Sequence, residues 1–150
     1  GEEEYYRALA SSFMLSADNA HAVHPNHPAK TDVNNCVYMN EGIVVKSHAG
    51  QKYTSDAVSI AVFKGLCKKA GVPVQFFSNR SDTAGGSTLG NIAMAQVSMN
   101  SVDIGLPQLA MHSSYETAGV KDTAYMIKVM EEFFNSHIEE MSGHILKVTK

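Results

Sequence analysis

The residues richest in chemistry lie at positions 13–28, FMLSADNAHAVHPNHP. A short apolar run, Phe13-Met14-Leu15, delivers one carboxylate, Asp18, and then three imidazoles, His21, His24 and His27, interleaved with Pro25 and Pro28. Carboxylate oxygen and imidazole nitrogen are donors suited to zinc or a similar divalent ion. Asp18 and the three histidines together offer a mononuclear site within one loop. The prolines push His24 and His27 toward extended backbone, which scatters their side chains, and the spacing excludes a helical HExxH arrangement. A second candidate, His112, follows Pro107 and stands among Met111, Ser113 and Ser114, as a residue at the rim of a sheet would. Asp82 and Asp103 are possible general bases, although Asp103 sits within an apolar run and reads equally as a hydrogen-bonded structural acid. Cys36 and Cys67 lie far apart without CxxC spacing, so neither a zinc knuckle nor a disulfide framework is indicated, and no GxSxG elbow presents a serine nucleophile. The string GGSTLG at 85–90 opens a helix and brings backbone N–H groups within reach of an anion or a substrate carboxylate. A tight turn with close helix packing explains the same glycines, and the string matches neither a P-loop nor a GxGxxG fingerprint.

The elements that must position these groups alternate. Residues 3–10 (EEYYRALA) are helix formers with acids in the first turn, and 13–17 read as a buried strand ending in the Asp18 loop. Residues 26–40 are loop, with Pro28 and Asn26, Asn34, Asn35 and Asn40. A β-branched run at 42–46 predicts a strand that carries Lys46 to the same rim as Asp18. Thr54 or Ser55 is placed to cap a helix over 56–69, whose Val58, Ala61, Val62, Gly65 and Leu66 follow helical spacing before Gly71. Strands are predicted over 74–77 and 101–106, with a helix over 88–97 between them. Asp122 is expected to cap a last helix reaching about 138, with Met126, Val129, Met130 and Phe133 on its inner face, and the tail from Met141 to fray. The order implies a three-layer α/β domain, a mixed β-sheet flanked by helices.

Composition narrows the class. The 150 residues are 44% hydrophobic and 18% charged, enough for one sheet and a few helices around one core. A net charge of −3 with scattered Lys and Arg gives no field for nucleic acid, so no nucleic-acid partner is expected. No apolar run approaches a membrane span, the acidic start Glu2-Glu3-Glu4 is unlike a signal peptide, and the sparse cysteines suit a reducing cytoplasm.

Four blocks taken in order, SADNAHAVHPNH, VVKSHAGQKYTSDAV, GVPVQFFSNRSDTAGGSTLGNI and VDIGLPQLAMHSSYETAGVKD, resemble the C-terminal part of the M18 metallo-aminopeptidases, the aspartyl aminopeptidase and aminopeptidase I family. The resemblance implies a two-zinc exopeptidase on an α/β sheet, other divalent metals being possible, that removes acidic or neutral N-terminal residues from peptides. It implies that Asp18 binds one metal and His112 the other, that Lys46, Tyr53 and Met111 line the substrate pocket, and that His21, His24 and His27 bind no metal. It implies a large homo-oligomer, a dodecamer. The family's first metal-binding histidine, bridging aspartate and glutamate pair, one of them the general base, have no counterpart in these residues, nor does its inserted dimerisation domain. On this resemblance the chain is the C-terminal portion of a catalytic domain, inactive alone. The family's K-H-D-P-N segment is Lys30-Thr31-Asp32-Val33-Asn34 here, off the main aspartyl branch. A non-catalytic assembly or metal-binding domain built on the His-rich loop is the alternative.

Overall fold

The structure is a computed structural model and describes residues 1–141 and 145–150. Along the chain come α1 (Glu2–Ala10), β1 (Phe13–Ala17), β2 (Ala20–His21), β3 (Ile43–Ser47), α2 (Ala57–Ala70), β4 (Val74–Ser78), α3 (Leu89–Gln96), β5 (Asn100–Gly105), β6 (Pro107–Leu109), β7 (Thr117–Ala118), α4 (Val120–Phe134), β8 (His137–Met141) and β9 (Ile145–Thr149). The main sheet has the order β1-β5-β3-β4. β1 runs parallel to β5 and β3 parallel to β4, but β3 and β5 are antiparallel, in the register Val44↔Gly105 and Val45↔Ile104. The sheet is mixed, as expected. One expectation fails in detail: β3 runs against β1 and β5, so its carboxyl end does not share their rim.

Strand alternation sorts the side chains. Ile43, Val45, Val102 and Ile104 face the main core, where Phe63, Leu66 and Cys67 of α2 and Val129 of α4 meet them, and Phe13, Leu15 and Val74 pack at its edge. Burying a Phe or Leu side chain there contributes about 2–3 kcal/mol. The opposite face carries Val44 and Phe77, packed with Ala20, Val37 and Tyr53. α3 covers this face beside β1 and β5, which completes three layers: Gly90 sits so close that a Cβ there would lie 2.8 Å from Ser16 Oγ.

Several boundaries differ from expectation for identifiable reasons. α2 is capped by Asp56, whose carboxylate accepts from Ser59 N at 2.7 Å while Ser59 Oγ accepts from Asp56 N at 3.0 Å, a reciprocal box. Thr54 and Ser55 are drawn instead to Asp103. α4 starts after Gly119 rather than at Asp122 and stops at Phe134. Asp122 is fully buried and accepts from the backbone of Asn40 (2.5 Å) and Gly42 (2.9 Å), tying the loop before β3 to α4. The expected fraying from Met141 is not found at Met141 or over residues 145–149, while its part at residues 142–144 lies outside the described residues. β8 and β9 pair as an antiparallel hairpin whose Ile138, Leu146 and Val148 pack against the core. Among the described residues no helix is long and apolar enough to cross a membrane.

Candidate active site

Asp18 stands where the chain passes from the main sheet to a small second sheet, β2-β6-β7. The parallel ladder continues across that step, with Asp18 N donating to Ile104 O (2.9 Å) and Ala20 N to Leu106 O (2.8 Å). The two chains approach so closely that a Cβ on Gly105 would lie 1.8 Å from Asp18 O, so only glycine fits. The Asp18 carboxylate is held at one oxygen by Asn19 N (2.8 Å) and leaves about half its side chain, 52%, open to solvent.

His112 sits in the turn between β6 and β7 with a left-handed backbone, φ 65°, as does Ala110 at φ 55°. Non-glycine residues rarely take this conformation, and here side chains enforce it. Glu116 Oε1 accepts from His112 N (2.6 Å) and from Gln108 Nε2 (3.3 Å), while Gln108 Oε1 accepts from Asn19 Nδ2 (2.5 Å). A relay of neutral and charged hydrogen bonds therefore couples the Asp18 loop to the His112 turn.

Lys46 is 2% exposed. Its Nζ donates to Asp18 O at 3.2 Å, lies 4.0 Å from Asp18 Oδ2 and stands 5.2 Å above the Tyr53 ring. Burial holds its pKa below the ordinary lysine value, opposed by the charges of Asp18 and Asp103. Lys46 reaches Asp18 from the face of the sheet that carries α3, and not along a shared strand rim. Tyr53 donates to Asn79 Oδ1 (3.3 Å) and packs edge-on against Phe77; burial, reinforced by Asp103 and Asp18, raises its pKa.

Asp18, Lys46, Tyr53, Met111 and His112 thus all line one cavity of about 120 Å³. The sequence placed them on three separate segments, and the tertiary structure brings the five together. His21, Phe77 and Thr88 line the same cavity. Partial burial against Phe77, with His112 and Lys46 nearby, lowers the His21 pKa. Sequence reasoning missed Phe77, read only as a strand residue, and Thr88, read only as the start of a helix, although the glycine-rich string before Thr88 was the signal.

The other candidates separate from this centre. His24 and His27 stack on each other, ring centroids 5.1 Å apart, and line a neighbouring groove of about 290 Å³. Among the described residues no three His, Cys, Asp or Glu side chains are grouped so as to hold a metal ion, so the self-contained loop site of Asp18 with three histidines is not formed. Asp103 is no general base: it is fully buried, and its carboxylate accepts from Ser16 Oγ (2.5 Å), Thr54 N (2.6 Å) and Thr54 Oγ1 (2.9 Å). Asp82 lies outside the cavity and is paired with Arg80, whose hydrogen bond holds its pKa below the ordinary carboxylate value. Cys36 and Cys67 are free thiols, the second buried in α2.

Asp18 and His112 present one hard oxygen donor and one imidazole to the same cavity, a donor set that fits divalent metals but is too small to hold one alone.

Residues 1–134 match the model of a protein family described as aminopeptidase I zinc metalloprotease (M18). The chain is 53% identical over 133 residues to the probable M18 family aminopeptidase 2 of Clostridium novyi (strain NT), a match taking in 89% of this chain and 31% of the relative. Among solved structures it is similar to Ape4 in the cryo-EM structure of the Ape4 and Nbr1 complex, with 36% identity, a TM-score of 0.87, and 89% of this chain and 26% of that one covered. It is also similar to the S. cerevisiae mApe1 dodecamer, with 29% identity, a TM-score of 0.75, and coverage of 87% and 28%. The chain therefore spans about a third of the length of the curated relatives it matches, 31% in the C. novyi case.

Proposed function

Because this chain belongs to the M18 family of aminopeptidase I zinc metalloproteases, we propose that it is the C-terminal portion of the catalytic domain of a two-metal aminopeptidase. In that reading the whole protein removes N-terminal residues from peptides, and it assembles as a homo-oligomer, as the dodecameric mApe1 does. The observation that supports it is the convergence of Asp18, His112, Lys46, Tyr53 and Met111 on one cavity.

Asp18 would give a carboxylate to one ion and His112 an imidazole to the other, with the remaining ligands and the general-base glutamate coming from elsewhere in the parent protein. When bound, the ions supply Lewis-acid polarisation of the scissile carbonyl and lower the pKa of a water. The residues of this chain then orient and exclude. The relay from Asn19 through Gln108 and Glu116 fixes the spacing of the two ligands, since a misplacement of about 1 Å in such a site costs about 100-fold in rate. Lys46, anchored on Asp18 O, puts a positive charge beside the substrate's end residue, with Tyr53 and Met111 walling the pocket and shutting out water.

In the full-length protein, Asp18→Ala and His112→Ala are each expected to lower bound zinc by about one ion per protomer and to cut hydrolysis of aminoacyl substrates by at least about 100-fold. His24→Ala and His27→Ala leave both near wild type. The 150-residue chain alone is expected to show negligible hydrolysis and only weak zinc binding by calorimetry. Full activity in both ligand variants, or robust hydrolysis by the isolated chain, would refute the assignment.

A further inference from the structure

α3 begins at Thr88, in the wall of the cavity that holds Asp18 and His112. A threonine at this helix position ordinarily accepts from an N–H two or three residues onward. Thr88 makes no such bond, and although it is only 5% exposed its Oγ1 has no partner among the described residues. The first N–H groups of a helix lack partners within the helix as well. A buried hydroxyl without a partner is destabilising, so this end of α3 holds polar groups that a ligand would satisfy.

The surrounding packing keeps that end in place. Gly90 is wedged on Ser16 and Asp103, where a Cβ would meet Ser16 Oγ at 2.8 Å and Asp103 Oδ2 at 3.1 Å. Asn91 Nδ2 donates to Ser87 Oγ (3.0 Å) and Lys52 O (2.7 Å), binding the first turn to the loop that carries Tyr53. Asp103 lies beside Gly90, but its carboxylate accepts from Ser16 and Thr54 and, among the described residues, takes no hydrogen bond from α3, so the N–H groups of that helix end are not satisfied by it. Lys46 directs its ammonium to Asp18 O. The start of α3 adds its own donors to the cavity wall beside that ammonium, and there the helix dipole favours negative charge.

We propose that Thr88 Oγ1 and the N-terminus of α3 form a subsite for an oxygen anion of the peptide substrate. The anion is either the carboxylate of an acidic end residue or the carbonyl oxygen of the scissile bond. In the second case, as the water oxygen bonds to the carbonyl carbon and the water's proton passes to the general-base glutamate elsewhere in the parent protein, the π pair moves onto the carbonyl oxygen, and the charge gained there is what the donors stabilise. This rests on the aminopeptidase reading given above.

The test uses the full-length, zinc-loaded protein with aspartyl and leucyl nitroanilides, comparing wild type with Thr88→Val and Thr88→Ser. If the anion is a side-chain carboxylate, Thr88→Val raises KM about tenfold or more for the aspartyl substrate alone. If it is the reacting carbonyl oxygen, kcat falls about 100-fold for both substrates with little change in KM. In either case Thr88→Ser restores most of the loss, because the hydroxyl is what binds. Wild-type kinetics for Thr88→Val on both substrates overturn the inference while leaving the aminopeptidase reading intact. So does a loss that serine does not rescue, which would mark Thr88 as packing only. A wild-type protein that hydrolyses neither substrate overturns both.

Discussion

A side chain's environment separates reactive groups from inert ones of the same type. Cys67 shows this most directly: 1% exposed in α2, its thiol is pushed up to about 12 by burial, whereas Cys36 is exposed. Iodoacetamide near pH 8 is expected to label Cys36 and to spare Cys67 until the chain is denatured, as read by mass spectrometry; equal labelling of the folded protein would contradict the burial. The sign of the pH effect follows from the same shift. With the folded value raised above the ordinary 9.0, the unfolded chain loses this proton first, so the contribution to stability is intact below pH 9 and is lost as pH rises toward 12. Cys67→Ala should flatten that alkaline decline in urea midpoints relative to wild type. Asp18 and Asp103 make the same point for carboxylates. Asp18 follows β1 and Asp103 lies within the neighbouring β5, yet one is half-open at the cavity and the other is enclosed by Ser16 and Thr54.

Elements here are held by tertiary bonds that their own sequences do not announce. Asp122 looks like an N-cap, and a lost cap costs about 1 kcal/mol. Its position inside α4, buried and accepting from Asn40 N and Gly42 N, makes it a brace between the helix and the start of β3. Asp122→Ala leaves the buried Gly42 N without its acceptor and releases Asn40 N, and is expected to cost about 2 kcal/mol or more in urea unfolding; a loss near 1 kcal/mol would favour the simple cap. The reversal of β3 against β5 is another decision taken above the element. Nothing in GIVVK states a direction, because a β-branched run pairs equally in either sense, and only the path of the loop at 26–40 brings it in antiparallel.

At the scale of the molecule, the core is closed by a hairpin that lies beyond residue 134, where the family match ends. Ile138, Leu146 and Val148 pack against the main core, and Lys69 Nζ donates to Val148 O at 3.3 Å. Removing residues 135–150 is expected to lower the melting temperature by about 5–10 °C, as measured by calorimetry, through lost apolar burial of a few kcal/mol. An unchanged melting temperature would mean that the hairpin adds nothing to the core. The cavity that Asp18 and His112 line is on the opposite face of the sheet from this core and gathers the Asp18 loop, β3, the start of α3 and the β6–β7 turn.

Sequence by itself determined a good deal. Hydrophobic period and turn residues placed α2, β4 and α3 closely, because local spacing is written in residue types, and four ordered blocks pointed to the family, whose resemblance in turn implied roles for Asp18, His112, Lys46, Tyr53 and Met111. Only the tertiary structure decided which of these meet. The three histidines after Asp18 were as plausible to the eye as His112, which lies over ninety positions away, but the loop carries His24 and His27 to a neighbouring groove and leaves only His21 at the cavity, while the Asn19–Gln108–Glu116 relay draws His112 in. Convergence across such separations depends on strand order, direction and close approaches such as Gly105 on Asp18, and those are set by packing among all the elements at once rather than by any one segment.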